Sequence, residues 1–81
     1  MSRQAWQEST TLLREILQSR DPQKTLAQKL DQIDETFFMV LSANIEEARL
    51  QKQEQVAQAM EMIGNMAMAM LQESLSQTQQ L

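Results

Sequence analysis

Three acidic side chains, Asp31, Asp34 and Glu35, crowd one short stretch, and Asp31 lies one helical turn from both of the others. Carboxylates at that spacing are the raw material of a hard-cation site or of acid and base catalysis. Helical di-iron sites also need Glu-x-x-His pairs, and this chain has no histidine. Calcium loops need a glycine-turned array of ligands that the segment does not contain. The simpler reading is a solvated acidic face. Cysteine is absent as well. Together the two absences remove disulfides, thiolate zinc sites, histidine-ligated haem, and serine or cysteine nucleophiles activated by a histidine base.

Methionine is the other residue type that could carry a function. Of 7 methionines, Met60, Met62, Met66, Met68 and Met70 fall within VAQAMEMIGNMAMAML, from Val56 to Leu71. A flexible, polarizable surface of this kind adapts to different apolar partners, which makes it a candidate client-binding groove. Its alternative is a helix buried in a bundle or dimer, since a helix apolar on every side usually sits inside something. Copper binding would need thioethers converging from several positions, without histidine or cysteine to support them. No catalytic, cofactor-binding or metal residue is assigned, and the chain reads as a non-enzymatic protein.

The elements that position these residues are helical. The 81 residues include one Gly and one Pro, few strand-like runs, and abundant Ala, Leu, Met, Gln and Glu. At Asp21-Pro22, Asp can cap a helix and Pro fits its first position, while an earlier helix must stop near Ser19 or Arg20. The expected architecture is all-α: a small bundle of about three helices near residues 3–19, 22–50 and 53–74, antiparallel and completed by dimerisation. Residues 1–75 form one domain and residues 76–81 a disordered polar tail.

The first helix places Trp6, Leu13, Ile16 and Leu17 on one side, with Leu12 alongside them and Trp6 closing one end of the core. In the second, Leu26, Leu30, Ile33, Phe37, Val40 and Asn44 follow alternating four and three spacing, and Phe38, Leu41, Ile45 and Ala48 form a neighbouring row. Asn44 either fixes a register by pairing with its equivalent or lies at the solvent edge of the stripe. Between Leu50 and Gln55 the apolar rows pause with no Gly or Pro. A connection near residues 50–53 fits, and so does an unbroken helix from Pro22 to about Leu75, a rod of roughly 80 Å that would need a coiled-coil partner. In the third helix Val56, Met60, Ile63, Ala67 and Met70 form one row, and Ala59, Met62, Met66 and Ala69 form its neighbour.

The formal charge of −4 repels phosphate, and no Lys/Arg cluster offers an exception, so nucleic acid is not an expected partner. The N-terminal residues lack the apolar stretch of a secretory signal, and Val56 to Leu71 is too short and too polar to span a bilayer. That segment also lacks the Lys/Arg row of a membrane-surface helix. A cytoplasmic protein with no membrane, small-molecule substrate or cofactor is the expectation.

The segment from Leu12 to Ala48 carries Leu13-x-x-Ile16-Leu17, then Asp21-Pro22, then Ile33-Asp34-Glu35-Thr36-Phe37-Phe38, with Asn44-Ile45 and Ala48 after it. It resembles a helical segment of some uncharacterised bacterial proteins, including the part that follows the zinc-binding region of CpXC-type proteins. The cysteines that define that zinc region are missing, so no metal role transfers. The resemblance implies a helical accessory or assembly module.

Such a module has too much apolar surface for three short helices. Leu30, Ile33, Phe37 and Val40, with Met60, Ile63, Ala67 and Met70, would make the core. Phe38, Leu41, Ile45, Met62 and Met66 are then left to face a second chain, and Gly64 permits a close helix crossing, within the chain or between copies. The leading expectation is a homodimer or another helical partner. The alternative is an acidic adaptor or chaperone that holds a Met-rich groove open for an amphipathic client helix.

Overall fold

Ser2 starts the first helix by accepting the Ala5 N–H at 3.0 Å, and α1 (Arg3–Gln18) turns Leu12, Leu13 and Ile16 inward. The structure, a computed structural model, describes residues 2–79. Ser19 leaves the helical region, and its hydroxyl meets that of Thr25 at 2.6 Å, tying the corner to the next helix. Asp21 then accepts the Lys24 N–H at 3.1 Å and Pro22 occupies the first turn of α2 (Pro22–Gln28). This is the capping chemistry expected of Asp-Pro.

The expected helix over residues 22–50 is two helices. After Gln28 the backbone tightens into a 3-10 turn (Leu30–Gln32), Ile33 is extended, and Asp34 caps α3 (Glu35–Leu50) by accepting the Phe37 N–H at 2.9 Å. The physical reason is competition: an aspartate side chain offers free amides a partner that a continuous helix would not. Breaking there also lets Leu26, Ile33 and Phe37 all enter the core, although they come from separate elements. Asp34 is thus a cap, and Asp31 belongs to the 3-10 turn.

The pause after Leu50 is a true connection. The N–H of Gln53 bonds to the Ala48 carbonyl at 2.8 Å and that of Lys52 to the Arg49 carbonyl at 3.0 Å. These two bonds make a Schellman turn, whose central residue takes a left-handed conformation that glycine usually supplies. Here Lys52 supplies it, with φ 60°. The turn ends α3 without Gly or Pro and excludes the continuous rod. Lys52→Gly is expected to raise stability by about 0.5–1 kcal/mol by removing the Cβ from that conformation. Urea unfolding of the two proteins checks this, and a lower midpoint for the glycine variant would contradict it.

The chain then runs back as α4 (Glu54–Gln79), whose 26 residues span about 39 Å. It extends beyond residue 74, where the sequence placed its end, because Gln, Ser and Leu75 contain no helix breaker. Residues 76–79, expected in an unstructured tail, are helical in backbone, and residues 80 and 81 of that expectation lie outside the described residues. Among the described residues there are four α-helices, the 3-10 turn and no strand. Helix α3 packs against both α1 and α4, and α2 closes on α4. Phe37, Ile16, Leu26 and Val40 are the largest fully buried side chains, joined by Ile33, Met60, Ile63 and Ala67. Leu30 and Met70 are only partly buried. Trp6 is exposed and lies outside this core, so it does not close its end.

Candidate interaction surface

The six residues expected at an interface divide into three groups. Leu41 and Gly64 meet inside the chain. Leu41 is buried, and its Cδ2 lies 2.9 Å from where a Cβ on Gly64 would stand. Gly64 therefore admits a side chain of α3 against α4, which makes this the close crossing and takes Leu41 off any outer face. Asn44 is exposed on α3, and its side-chain amide donates to the Val40 carbonyl of its own helix at 2.8 Å. Gly64→Ala is expected to change stability by less than about 1 kcal/mol, because the gain in helix propensity is offset by displacing the flexible end of Leu41. Gly64→Leu overpacks the crossing and is expected to cost about 1–3 kcal/mol. Thermal melts of both variants test the pair, and equal midpoints would refute the crossing.

Phe38 and Ile45 are the second group, half-buried along one flank of α3. Phe38 packs edge-on against Phe37, with ring centroids 5.8 Å apart at 85°. The same flank leads to Arg49, which pairs with Glu61 of α4 and lies 3.7 Å from Glu54. A shallow depression of about 470 Å³ opens there, lined by Ser42, Ile45, Glu46, Arg49, Leu50 and Glu61. Leu50 is 74% exposed at its edge.

Met62 and Met66 form the third group, on a different side of α4. An α-helix turns about 100° per residue, so Met66, five residues past Glu61, stands roughly 140° around the axis from the Arg49 ion pair. Phe38, Ile45, Met62 and Met66 cannot belong to one face. Instead, Met62 and Met66 lie in the row that includes Ala59 and Ala69. Ala59, Met62 and Ala69 are exposed, Met62 by 63%, and Met66 is half-buried.

The chain matches no family model, no curated protein and no solved structure. Among the described residues no group of three or more acidic side chains is placed to hold a metal ion, and no helix is long and apolar enough to cross a membrane. A second open depression, between α1 and the 3-10 turn, is lined mostly by Gln4, Gln7, Glu8, Glu15 and Gln32, with Leu12 beneath. It offers glutamine and carboxylate groups on an open surface, without an activated nucleophile.

The outward side of α4 has the clearest pattern. Between Glu54 and Glu73 the helix carries one charged residue, Glu61, and that carboxylate is held on the α3 flank by Arg49. The opposite side therefore runs without charge from Gln55 to Gln72. The row Ala59, Met62, Met66 and Ala69 is legible in the sequence. Its separation from Phe38 and Ile45 is not, because it depends on how α4 rolls against α3.

Proposed function

We propose that this chain is a non-enzymatic helical interaction module whose main activity is association with a second copy of itself through the outward side of α4. One observation carries the reading: an uncharged Ala/Met row, exposed at Ala59, Met62 and Ala69 and half-buried at Met66, on a chain with a net charge of −4. Two acidic copies repel wherever carboxylates face each other, and this row is where they can approach without that repulsion. Three-four spacing of apolar residues is also the pattern by which one helix seats against another.

Light scattering coupled to size exclusion, over a hundredfold range of concentration, tests the proposal. The expected result is a dimer at the high end. Met62→Lys should weaken it at least tenfold, about 1.4 kcal/mol, while leaving the helical circular dichroism unchanged. Monomers at every concentration would overturn the reading.

The depression beside Arg49 favours a second reading, that of an acidic adaptor. Ile45 gives it an apolar floor, Leu50 an exposed apolar edge, and Glu46, beside the Arg49–Glu61 pair, an acidic rim, which suits an amphipathic client helix with basic flanks. Titrating the chain with a designed Leu/Lys helical peptide would detect this, and Leu50→Glu should abolish it.

A further inference from the structure

Resting on the self-association reading above, we infer that the two copies pair α4 against α4 in antiparallel fashion, about a two-fold axis level with Gly64. The outward row, taken with its polar ends, is Gln55, Ala59, Met62, Met66, Ala69 and Glu73. Its spacings, four, three, four, three and four, read the same in both directions. Reversing one copy therefore sets Met62 against Met66 of the second copy, Ala59 against Ala69, and Gln55 against Glu73. Each contact occurs twice, as a two-fold axis requires.

Charge selects this orientation over the parallel one. Side by side in the same direction, Glu73 would face its own equivalent on the seam, and two carboxylates at such a position repel. In the antiparallel arrangement each Glu73 carboxylate accepts from a Gln55 carboxamide, so both ends of the seam close on a neutral donor and an anion. The helix dipoles also oppose rather than align. Gln58, Asn65 and Gln72 border one side of the row, all exposed and uncharged. Val56, Ile63 and Met70 border the other, and both borders are free of like-charge contacts between copies.

Alanines toward the ends and methionines at the centre give the seam small residues where backbones approach and adaptable ones where they must fill space. Gly64 lies level with the axis yet faces Leu41 of its own chain, so the crossing between copies does not use it. A single helix pair of this length falls near or below the roughly 1,200 Å² at the lower end of stable interfaces. The dimer is therefore a reversible one that dilution dissociates.

Cysteine cross-linking tests the orientation, and the chain has no native cysteine to confuse it. Ala59→Cys and Ala69→Cys are made separately at these exposed positions, one carrying a mass tag, and oxidised alone and as an equal mixture. The expected result is a mixed disulfide at least tenfold more abundant than either self-linked product. Residues 59 and 69 of an antiparallel pair are adjacent. Two copies of residue 59 lie about 15 Å apart along the axis, at about 1.5 Å per residue, which is beyond the reach of a disulfide.

Light scattering of the same reduced proteins separates the two levels of the argument. A dimer in which the Ala59→Cys variant self-links as readily as it cross-links overturns the antiparallel assignment and leaves self-association standing. A dimer that forms neither product places the contact elsewhere and overturns the α4 pairing. Monomers throughout overturn both.

Discussion

Phe37→Ala is expected to leave the chain without a cooperative unfolding transition near room temperature. Phe37 is fully buried at the start of α3, one turn past the cap supplied by Asp34, and its ring meets Phe38 edge-on. Removing a buried phenylalanine ring costs about 3–5 kcal/mol, and an edge-on aromatic pair adds about 0.5–1.5 kcal/mol beyond area. Domains have total stabilities of about 5–15 kcal/mol, and short ones fall toward the low end. The loss therefore approaches the whole of the folding free energy. Thermal melts followed by circular dichroism should show it directly. Phe38→Ala, at a half-buried position, should retain a transition, and identical behaviour of the two variants would mean that the core is centred elsewhere.

Ile16→Ala is the second large effect. α1 is held to α3 through Leu12, Leu13 and Ile16, of which Ile16 is completely buried. Truncating it is expected to cost about 2–5 kcal/mol. At about 4–8 °C per kcal/mol for a domain of this size, the midpoint should fall by at least about 8 °C. Leu17, next in sequence and 39% exposed, is the control and should cost less than about 1 kcal/mol when truncated. The fluorescence of Trp6, which is carried on α1, gives a second readout, because release of that helix changes its surroundings. A larger effect at Leu17 than at Ile16 would mean that α1 docks by another face.

These effects fall mainly where apolar periodicity points. Leu13 and Ile16 on the inward side of α1 and the Asp21-Pro22 start of α2 are visible in the sequence, because capping residues and apolar spacing act locally. Leu17, expected on that same side, is exposed, and the sequence admits both a connection near residues 50–53 and an unbroken helix there. The interruption at residues 29–34 is not visible in the same way. Leu26, Leu30, Ile33 and Phe37 keep helical spacing across it, so periodicity reports one helix where the backbone forms two. The signal that marks the break is Asp34 followed by Glu35 ahead of an apolar run, a helix-start pattern inside what looks like a helix.

Leu41 and Gly64 show a different limit. Both belong to the rows expected to matter, yet only the packing of α3 on α4 shows that they satisfy each other. Spacing identifies which residues share a stripe, but the roll of one helix against another decides which stripe faces inward. The same roll separates Phe38 and Ile45 from Met62 and Met66. Trp6 misleads for a simpler reason: a large aromatic side chain invites a place in the core, but it sits near the start of α1, outside that core.

The uneven burial of the methionines also sorts them by chemical ageing. Met62 is 63% exposed, Met68 52% and Met39 44%, whereas Met60 is 3% exposed. Peroxide reaches exposed thioethers first, so sulfoxides should accumulate at Met62, Met68 and Met39 while Met60 stays reduced for as long as the chain remains folded. A sulfoxide at Met62 adds a strong dipole to the one uncharged side of α4 without disturbing the core. Oxidative damage would then reach the surface of this protein well before its fold, and methionine sulfoxide reductases could reverse it.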